Sequence, residues 1–159
     1  MSTERKSRRG VKLAAIRPEV KVATAERAEA MANATPDDSR YIALTTYRRD
    51  GRAVTTPVWA VSLDGKIYVF TASSTGKAKR VRATGRVRFA PSSMNGRGIL
   101  GAWREGTAHV VQDRVLQDRA LAALQRKYGW QLSVAMLVYR LRGLYRDRVV
   151  LELTPAPRT

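Results

Sequence analysis

The sequence contains no cysteine, few acidic residues and no apolar run long enough to cross a membrane. Without cysteine, a disulfide framework, a thiolate nucleophile and cysteine-based metal sites are excluded, which fits a reducing cytoplasm. The longest apolar run, Leu132 to Tyr139, is far shorter than the roughly 20 residues of a spanning helix. No apolar stretch of signal-peptide length follows the basic N-terminus. These absences predict a soluble, cytoplasmic protein.

The shortage of acids leaves a large positive charge. Thirteen Asp and Glu face 30 Lys and Arg, which gives a formal net charge of +17 over 159 residues. Such a charge predicts attraction to phosphorylated small molecules, nucleic acid or acidic membranes. Residues 1–22 carry seven Lys and Arg against Glu4 and Glu19 and show little periodicity, so we expect a flexible basic arm there and one folded domain over 23–159. A second basic stretch covers residues 140–148.

Groups that carry out catalysis unaided are also missing. The one histidine, His109, has no partner at recognisable spacing, and no paired carboxylates, triad or metal cluster can be read. The glycines from Gly96 to Gly101 match G-x-G-x-x-G, but they lie in a loop before a strand, whereas a dinucleotide fingerprint opens a helix. A P-loop match around Lys77 fails at Thr71 and Ala78. If the protein is an enzyme, a cofactor must carry the chemistry.

The pattern of apolar residues predicts an α+β, mainly antiparallel β protein: a six-stranded closed or split β-barrel with peripheral helices. Asp-Gly pairs at 50–51 and 64–65 predict two hairpin turns. Strands are predicted at 41–47, 53–62, 67–72, 86–90, 103–111 and 148–155, and helices at 24–33, 73–84, 112–127 and 131–141. In the third helix the apolar stripe is predicted to consist of Val115, Leu116, Ala120, Leu121 and Leu124.

The helix at 73–84 is a candidate anion site. If Ser73 or Ser74 caps it, the amides of its first turn are free to bind an anion. Lys77 lies in that turn and Arg80 follows on the same side, whereas Lys79 points away. Spacing alone leaves two interpretations open, a phosphate clamp or a solvated cationic surface.

The strand at 53–62 is interrupted by Pro57, which cannot donate to a ladder and indicates an edge, a bulge or a backbone that meets a ligand. Trp59, two residues later, is predicted either to pack in the core or to contact a bound ring.

Four segments in this order resemble the pyridoxamine 5′-phosphate oxidase-like split-barrel flavoproteins, and more narrowly the branch that uses the deazaflavin coenzyme F-420. They are Y-I-A-L-T-T-Y-R-R-D-G-R-A-V-T-T-P-V-W, D-G-K-I-Y-V-F-T, S-T-G-K-A-K-R-V-R and G-R-V-R-F-A-P. The resemblance covers Tyr41 to Val111 and returns at Val149 to Leu153. Flavin-binding oxidases, deazaflavin reductases and haem-binding proteins all occur among such relatives.

The resemblance implies a homodimer with the cofactor in a groove at the interface, its phosphate on the 73–84 helix and its ring along 56–59. We therefore predict cofactor contacts at Thr55, Thr56, Pro57, Val58, Trp59, Thr71, Ser74, Lys77 and Arg80. The function it implies is hydride transfer between reduced coenzyme F-420 and an organic acceptor, with no residue assigned as catalytic. The alternatives are an FMN-dependent enzyme, or a non-catalytic binder of nucleic acid, acidic membrane or haem.

Overall fold

A computed structural model describes residues 26–30 and 34–157. Residues 26–30 are helical, within the predicted helix 24–33, and the predicted basic arm 1–22 lies outside the described residues. The strands are β1 (Tyr41–Tyr47), β2 (Ala53–Val58), β3 (Ala60–Leu63), β4 (Lys66–Ala72), β5 (Arg86–Ser92), β6 (Arg104–Val110) and β7 (Arg148–Pro155). The helices are α1 (Gly76–Thr84), α2 (Arg114–Tyr128) and α3 (Trp130–Leu141), and a short 3-10 helix covers Tyr145–Asp147.

The seven strands form one antiparallel sheet in the order β2-β1-β5-β6-β7-β4-β3. The two edge strands, β2 and β3, are consecutive in the chain and are separated only by Trp59. The sheet therefore curls until one continuous stretch of backbone joins its edges, which is the predicted split barrel.

The prediction of a single strand at 53–62 is wrong, because the structure has two strands there, β2 and β3. This division raises the number of strands from the predicted six to seven. Up to Val58 the chain pairs with β1, and from Ala60 it pairs with β4. Trp59 is the residue at which the backbone changes partners, and Pro57 just before it cannot donate to a ladder. The barrel is split within the segment along which the family resemblance implies the cofactor ring.

Side chains that alternate along the strands fill the barrel. Successive residues of a strand point to opposite faces, so every second residue faces inward. The barrel core contains Ile42, Leu44, Val58, Ala60, Ile67, Val69, Val81, Val87, Phe89, Ala108, Leu151 and Leu153. A second cluster lies between the outer face of β3, β4 and β7 and the helices α2 and α3. Helix α2 contributes Ala120 and Leu124 to it as predicted, but Val115 is 69% exposed and does not belong to the stripe.

Two predicted ends differ from the structure. Helix α1 begins at Gly76, capped by Thr75, and not at Ser73 or Ser74, because Asp147 accepts hydrogen bonds from the amides of both serines. Strand β5 continues through Pro91 to Ser92 instead of ending at Ala90. Pro91 is tolerated because β5 stops pairing with β6 at Phe89, before the strand reaches the proline. The Pro91 carbonyl oxygen accepts a hydrogen bond from the Leu100 amide.

One carboxylate is buried beside the barrel. Glu152 is 2% exposed and accepts hydrogen bonds from Lys66 Nζ at 2.5 Å and from Tyr68 Oη at 2.9 Å. Burial by itself would raise the pKa of Glu152, but these two donors outweigh burial and lower it. Burial and the neighbouring carboxylate raise the pKa of Tyr68 to about 12, so Tyr68 stays a donor.

Within residues 26–30 and 34–157, no helix has both the length and the apolar character that a bilayer crossing requires.

Candidate cofactor-binding site

A cavity of about 220 Å³ lies where the barrel splits. Its lining comes from both sides of the split, from α1 and from α3: Tyr41, Pro57, Val58, Trp59, Phe70, Thr71, Lys77, Ala135 and Tyr139. The fold thus brings together five of the nine residues predicted from the sequence. The other four, Thr55, Thr56, Ser74 and Arg80, lie outside the lining.

Lys77 forms the cationic end of this cavity. Its Nζ donates to Thr71 Oγ1 at 3.2 Å, and the Thr71 hydroxyl lies 3.2 Å from that of Thr75. Thr75 in turn accepts from the Ala78 amide at 3.5 Å as the helix cap. Burial, with a contribution from Arg80, lowers the pKa of Lys77. The ammonium group is therefore fixed toward the cavity, with part of its hydration removed.

Arg80 lies behind Lys77 over the first turn of the same helix. Its Nε donates to Thr46 Oγ1 at 2.7 Å, and its Nη1 would lie 2.7 Å from a Cβ placed on Gly76. A larger residue at Gly76 would therefore displace the guanidinium group from this position. Burial and the nearby Arg48 lower the pKa of Arg80.

The positive charge at this end is not balanced by the protein. Among the described residues, no carboxylate lies within ion-pair distance of Lys77 or Arg80. Within the same part of the chain, the amides of Gly76 and Lys77 have no acceptor. Two cations and two free amides at a helix N-terminus make a site suited to a phosphate.

The other end of the cavity is aromatic. Trp59 lines the cavity and also stacks on Tyr128, with ring centroids 5.0 Å apart and planes inclined by 17°. The packing interpretation of Trp59 is therefore confirmed, and its contact with a bound ring stays a prediction. Phe70 and Tyr139 form a second aromatic pair, with centroids 5.3 Å apart. Flat apolar surfaces next to a cationic end fit a cofactor that has a planar ring and a phosphate.

Tyr128 holds the backbone in place where the chain passes from β2 to β3, next to Trp59. Its hydroxyl accepts from the Ala60 amide at 3.0 Å and lies 2.9 Å from the carbonyl oxygens of Arg40 and Ala60. Burial raises the pKa of Tyr128 to about 12, so the phenol remains protonated. The Trp59 ring is thus held against a rigid support.

The predicted residues outside the lining have other contacts. The Thr55 hydroxyl lies 2.7 Å from that of Thr45, and the Ser74 amide donates to Asp147 Oδ2 at 3.0 Å. The Thr56 hydroxyl is buried and has no hydrogen-bond partner among the described residues. A buried hydroxyl without a partner is uncommon and is consistent with a polar group that arrives with a ligand.

The lining residues that the sequence did not reveal are Tyr41, Phe70, Ala135 and Tyr139. Phe70 could have been predicted from the sequence. It lies between the inward-facing Val69 and Thr71 in β4, next to the residues predicted to bind the phosphate. Tyr139 had none, because only the packing of α3 on β4 brings it to the cavity.

Comparison with known proteins gives the family. A model described as pyridoxamine 5′-phosphate oxidase matches residues 28–157. No curated protein matches the chain.

Several solved structures share the fold. A conserved hypothetical protein from Mycobacterium tuberculosis is 21% identical, with a TM-score of 0.59 over 92% of this chain and 85% of that one. HutZ, a haem storage protein from Vibrio cholerae, is 17% identical, with a TM-score of 0.56 over 89% and 90% of the chains. A FAD-binding protein from Mesorhizobium loti is 16% identical, with a TM-score of 0.51 over 87% and 88%. At these identities the likeness concerns the fold alone.

Proposed function

Since the chain belongs to the pyridoxamine 5′-phosphate oxidase family, we propose that it is a cytoplasmic oxidoreductase with a phosphorylated flavin-type cofactor in the cavity at the barrel split. The proposal rests on one observation: a single cavity combines the half-buried Lys77 ammonium group with the aromatic wall at Trp59. A lysine that serves only to stabilise the fold would be expected to have a carboxylate partner, and Lys77 has none among the described residues.

Each part of the site has a separate task. Lys77, Arg80 and the free amides of α1 bind the phosphate, and Thr71 orients the Lys77 ammonium group. The strand from Pro57 to Trp59 supports the ring and excludes water from one of its faces. The cofactor supplies the hydride chemistry when bound, and the protein supplies binding and orientation.

The cofactor we propose is coenzyme F-420, with an organic molecule as the hydride acceptor. The segments from Tyr41 to Val111 favour it because they resemble the branch that uses this deazaflavin. FMN is the alternative, since it too has a planar ring and a phosphate. Haem is less suited to this cavity, because the only histidine, His109, does not line it and its side chain is 63% exposed on β6.

The site is proposed to be completed by a second copy of the chain. A cavity of about 220 Å³ is smaller than the roughly 300–1,000 Å³ typical of ligand sites, so one chain supplies only part of the enclosure. Helix α3 lines the cavity through Ala135 and Tyr139. Its other side exposes four large apolar residues, Trp130 (73%), Val134, Leu137 and Leu141. An exposed apolar face of this kind marks an interface, and its position beside the cavity favours a homodimer.

Titration of the purified protein with coenzyme F-420, FMN and haem, followed by absorbance and fluorescence, tests the proposal. We expect saturable binding of F-420 at one molecule per chain, and weaker binding of FMN. Binding of haem alone would indicate the non-catalytic alternative. Binding of none of the three, together with tight binding of nucleic acid that survives physiological salt, would refute the oxidoreductase assignment.

A further inference from the structure

A second cavity, of about 460 Å³, lies on the side of the molecule where α2 begins and β7 begins. We call it the arginine groove, defined by its lining residues Gln112, Arg114, Gln117, Asp118, Arg146 and Arg148. It shares no lining residue with the cavity at the barrel split. Three of its six residues are arginines, and none is a large apolar residue.

The charge in the arginine groove is not compensated by the protein. Among the described residues, no ion pair involves Arg114, Arg146 or Arg148. Asp118 supplies the only carboxylate of the lining. Asp147, between two of the arginines in the chain, is used elsewhere, since its Oδ2 accepts the Ser74 amide at 3.0 Å. The groove is therefore lined by three guanidinium groups and one carboxylate, and the excess positive charge is available to an external anion.

Part of the groove is held in position before any ligand binds. The guanidinium group of Arg148 stacks over the Tyr145 ring, 4.1 Å from its centroid, and its Nη1 donates to the Tyr145 carbonyl at 3.1 Å. The Gln117 side-chain amide donates to the Val111 carbonyl at 2.7 Å. Fixed donors lose little conformational entropy when they bind a ligand.

We propose that the arginine groove binds a compact small molecule carrying two or more negative charges, of the diphosphate class. Guanidinium groups match the geometry of phosphate oxygens through paired hydrogen bonds. The volume of the groove falls within the range typical of small-molecule sites, and no large apolar side chain lines it. The three arginines converge on one cavity and do not form a track along the surface, which favours a compact ligand over a nucleic-acid strand.

Calorimetric titration of the full chain with inorganic pyrophosphate tests this proposal. We expect one site in this groove, and Arg114→Ala and Arg146→Ala should each weaken it by about tenfold. Both residues are exposed, so neither substitution disturbs the core, and thermal melting verifies that each variant is folded. Arg49→Ala, which removes an exposed cation in the β1–β2 turn, is the matched control and should change the affinity by less than about twofold.

Three results would overturn the proposal. If Arg49→Ala and Arg146→Ala weakened pyrophosphate binding equally, the binding would depend only on the net charge of the protein. Loss of all pyrophosphate binding in Lys77→Ala, with Arg146→Ala unaffected, would place the anion at the cofactor site. Tight binding of a short duplex DNA that depends on Arg146, without binding of pyrophosphate, would identify the groove as a nucleic-acid contact. Because pyrophosphate is titrated without cofactor, failure here leaves the proposed function standing.

Discussion

Substitution of the cations of α1 one at a time distinguishes a phosphate clamp from a diffuse positive surface. Lys77 is half-buried and lines the cavity, Arg80 lies over the first turn, and Lys79 is exposed. The three residues share one helix and carry the same charge, so the loss of net charge is identical in each alanine variant. Only their positions relative to the proposed phosphate differ.

The expected magnitudes follow from these positions. A charge-assisted hydrogen bond contributes roughly 1.5–3 kcal/mol, and each 1.4 kcal/mol is a factor of ten in affinity. Lys77→Ala should therefore weaken cofactor binding by about ten- to a hundredfold. Arg80→Ala should cost a similar or smaller factor, because its Nε is already bonded to Thr46. Lys79→Ala should have only a small, salt-dependent effect.

Equilibrium titration monitored by cofactor fluorescence measures all three variants. The control ligand is a cofactor without its phosphate, such as riboflavin in place of FMN, whose binding Lys77→Ala should barely change. If Lys77→Ala and Lys79→Ala weaken binding of the phosphorylated cofactor equally, or if riboflavin binding falls as much as FMN binding, the clamp does not exist.

Four further predictions follow from particular contacts. Because burial lowers the pKa of Lys77, cofactor affinity should fall as the pH rises toward the ordinary lysine pKa. The Lys77→Arg variant stays charged, so its affinity should depend less on pH. Identical pH profiles of affinity for the wild type and this variant would contradict the prediction. If the proposed homodimer forms, Leu137→Glu should convert it to a monomer in light scattering, whereas Val115→Glu, at an exposed apolar residue on α2, should not change the oligomeric state. Because the pKa of Glu152 is lowered in the folded state, its stabilisation is present above the unfolded pKa and is lost as the pH falls. Glu152→Gln should therefore reduce stability at neutral pH by about 1–2 kcal/mol and flatten the acid side of the profile, and an unchanged acid side would exclude this role. Thr56→Val should raise the stability of the ligand-free protein by about 1 kcal/mol, since it removes a buried hydroxyl without a partner; a lower melting temperature would show that the hydroxyl has one.

The sequence predicted the barrel because the local signals agreed with the global fold. The Asp-Gly turns, the two-residue alternation and the glycine after α1 each specify a local geometry, and Gly85 does adopt the left-handed conformation (φ 64°) that ends the helix. The division of the strand at Trp59 was not predicted, although Pro57 marked an irregularity. Alternation is the same on both sides of Trp59, and only the choice of pairing partner changes there.

The candidate site likewise contains residues that the sequence could predict and residues that it could not. Pro57, Trp59, Thr71 and Lys77 were predictable because they are close in sequence to the strand break or to the helix start. Tyr139 depends on the docking of α3 and has no local signal. The start of helix α1 was predicted too early for a similar reason, because the amides of Ser73 and Ser74 bond to Asp147, more than 70 residues away in the chain.

A crystal structure of the protein grown with coenzyme F-420, or with FMN, tests the central claim most directly. The account predicts a phosphate oxygen within about 3 Å of Lys77 Nζ and of the amides of Gly76 and Lys77. It also predicts the ring against Pro57 to Trp59, with a second copy of the chain closing the cavity. Binding of the cofactor's own phosphate in the arginine groove, or a cofactor ring remote from Trp59, would contradict it.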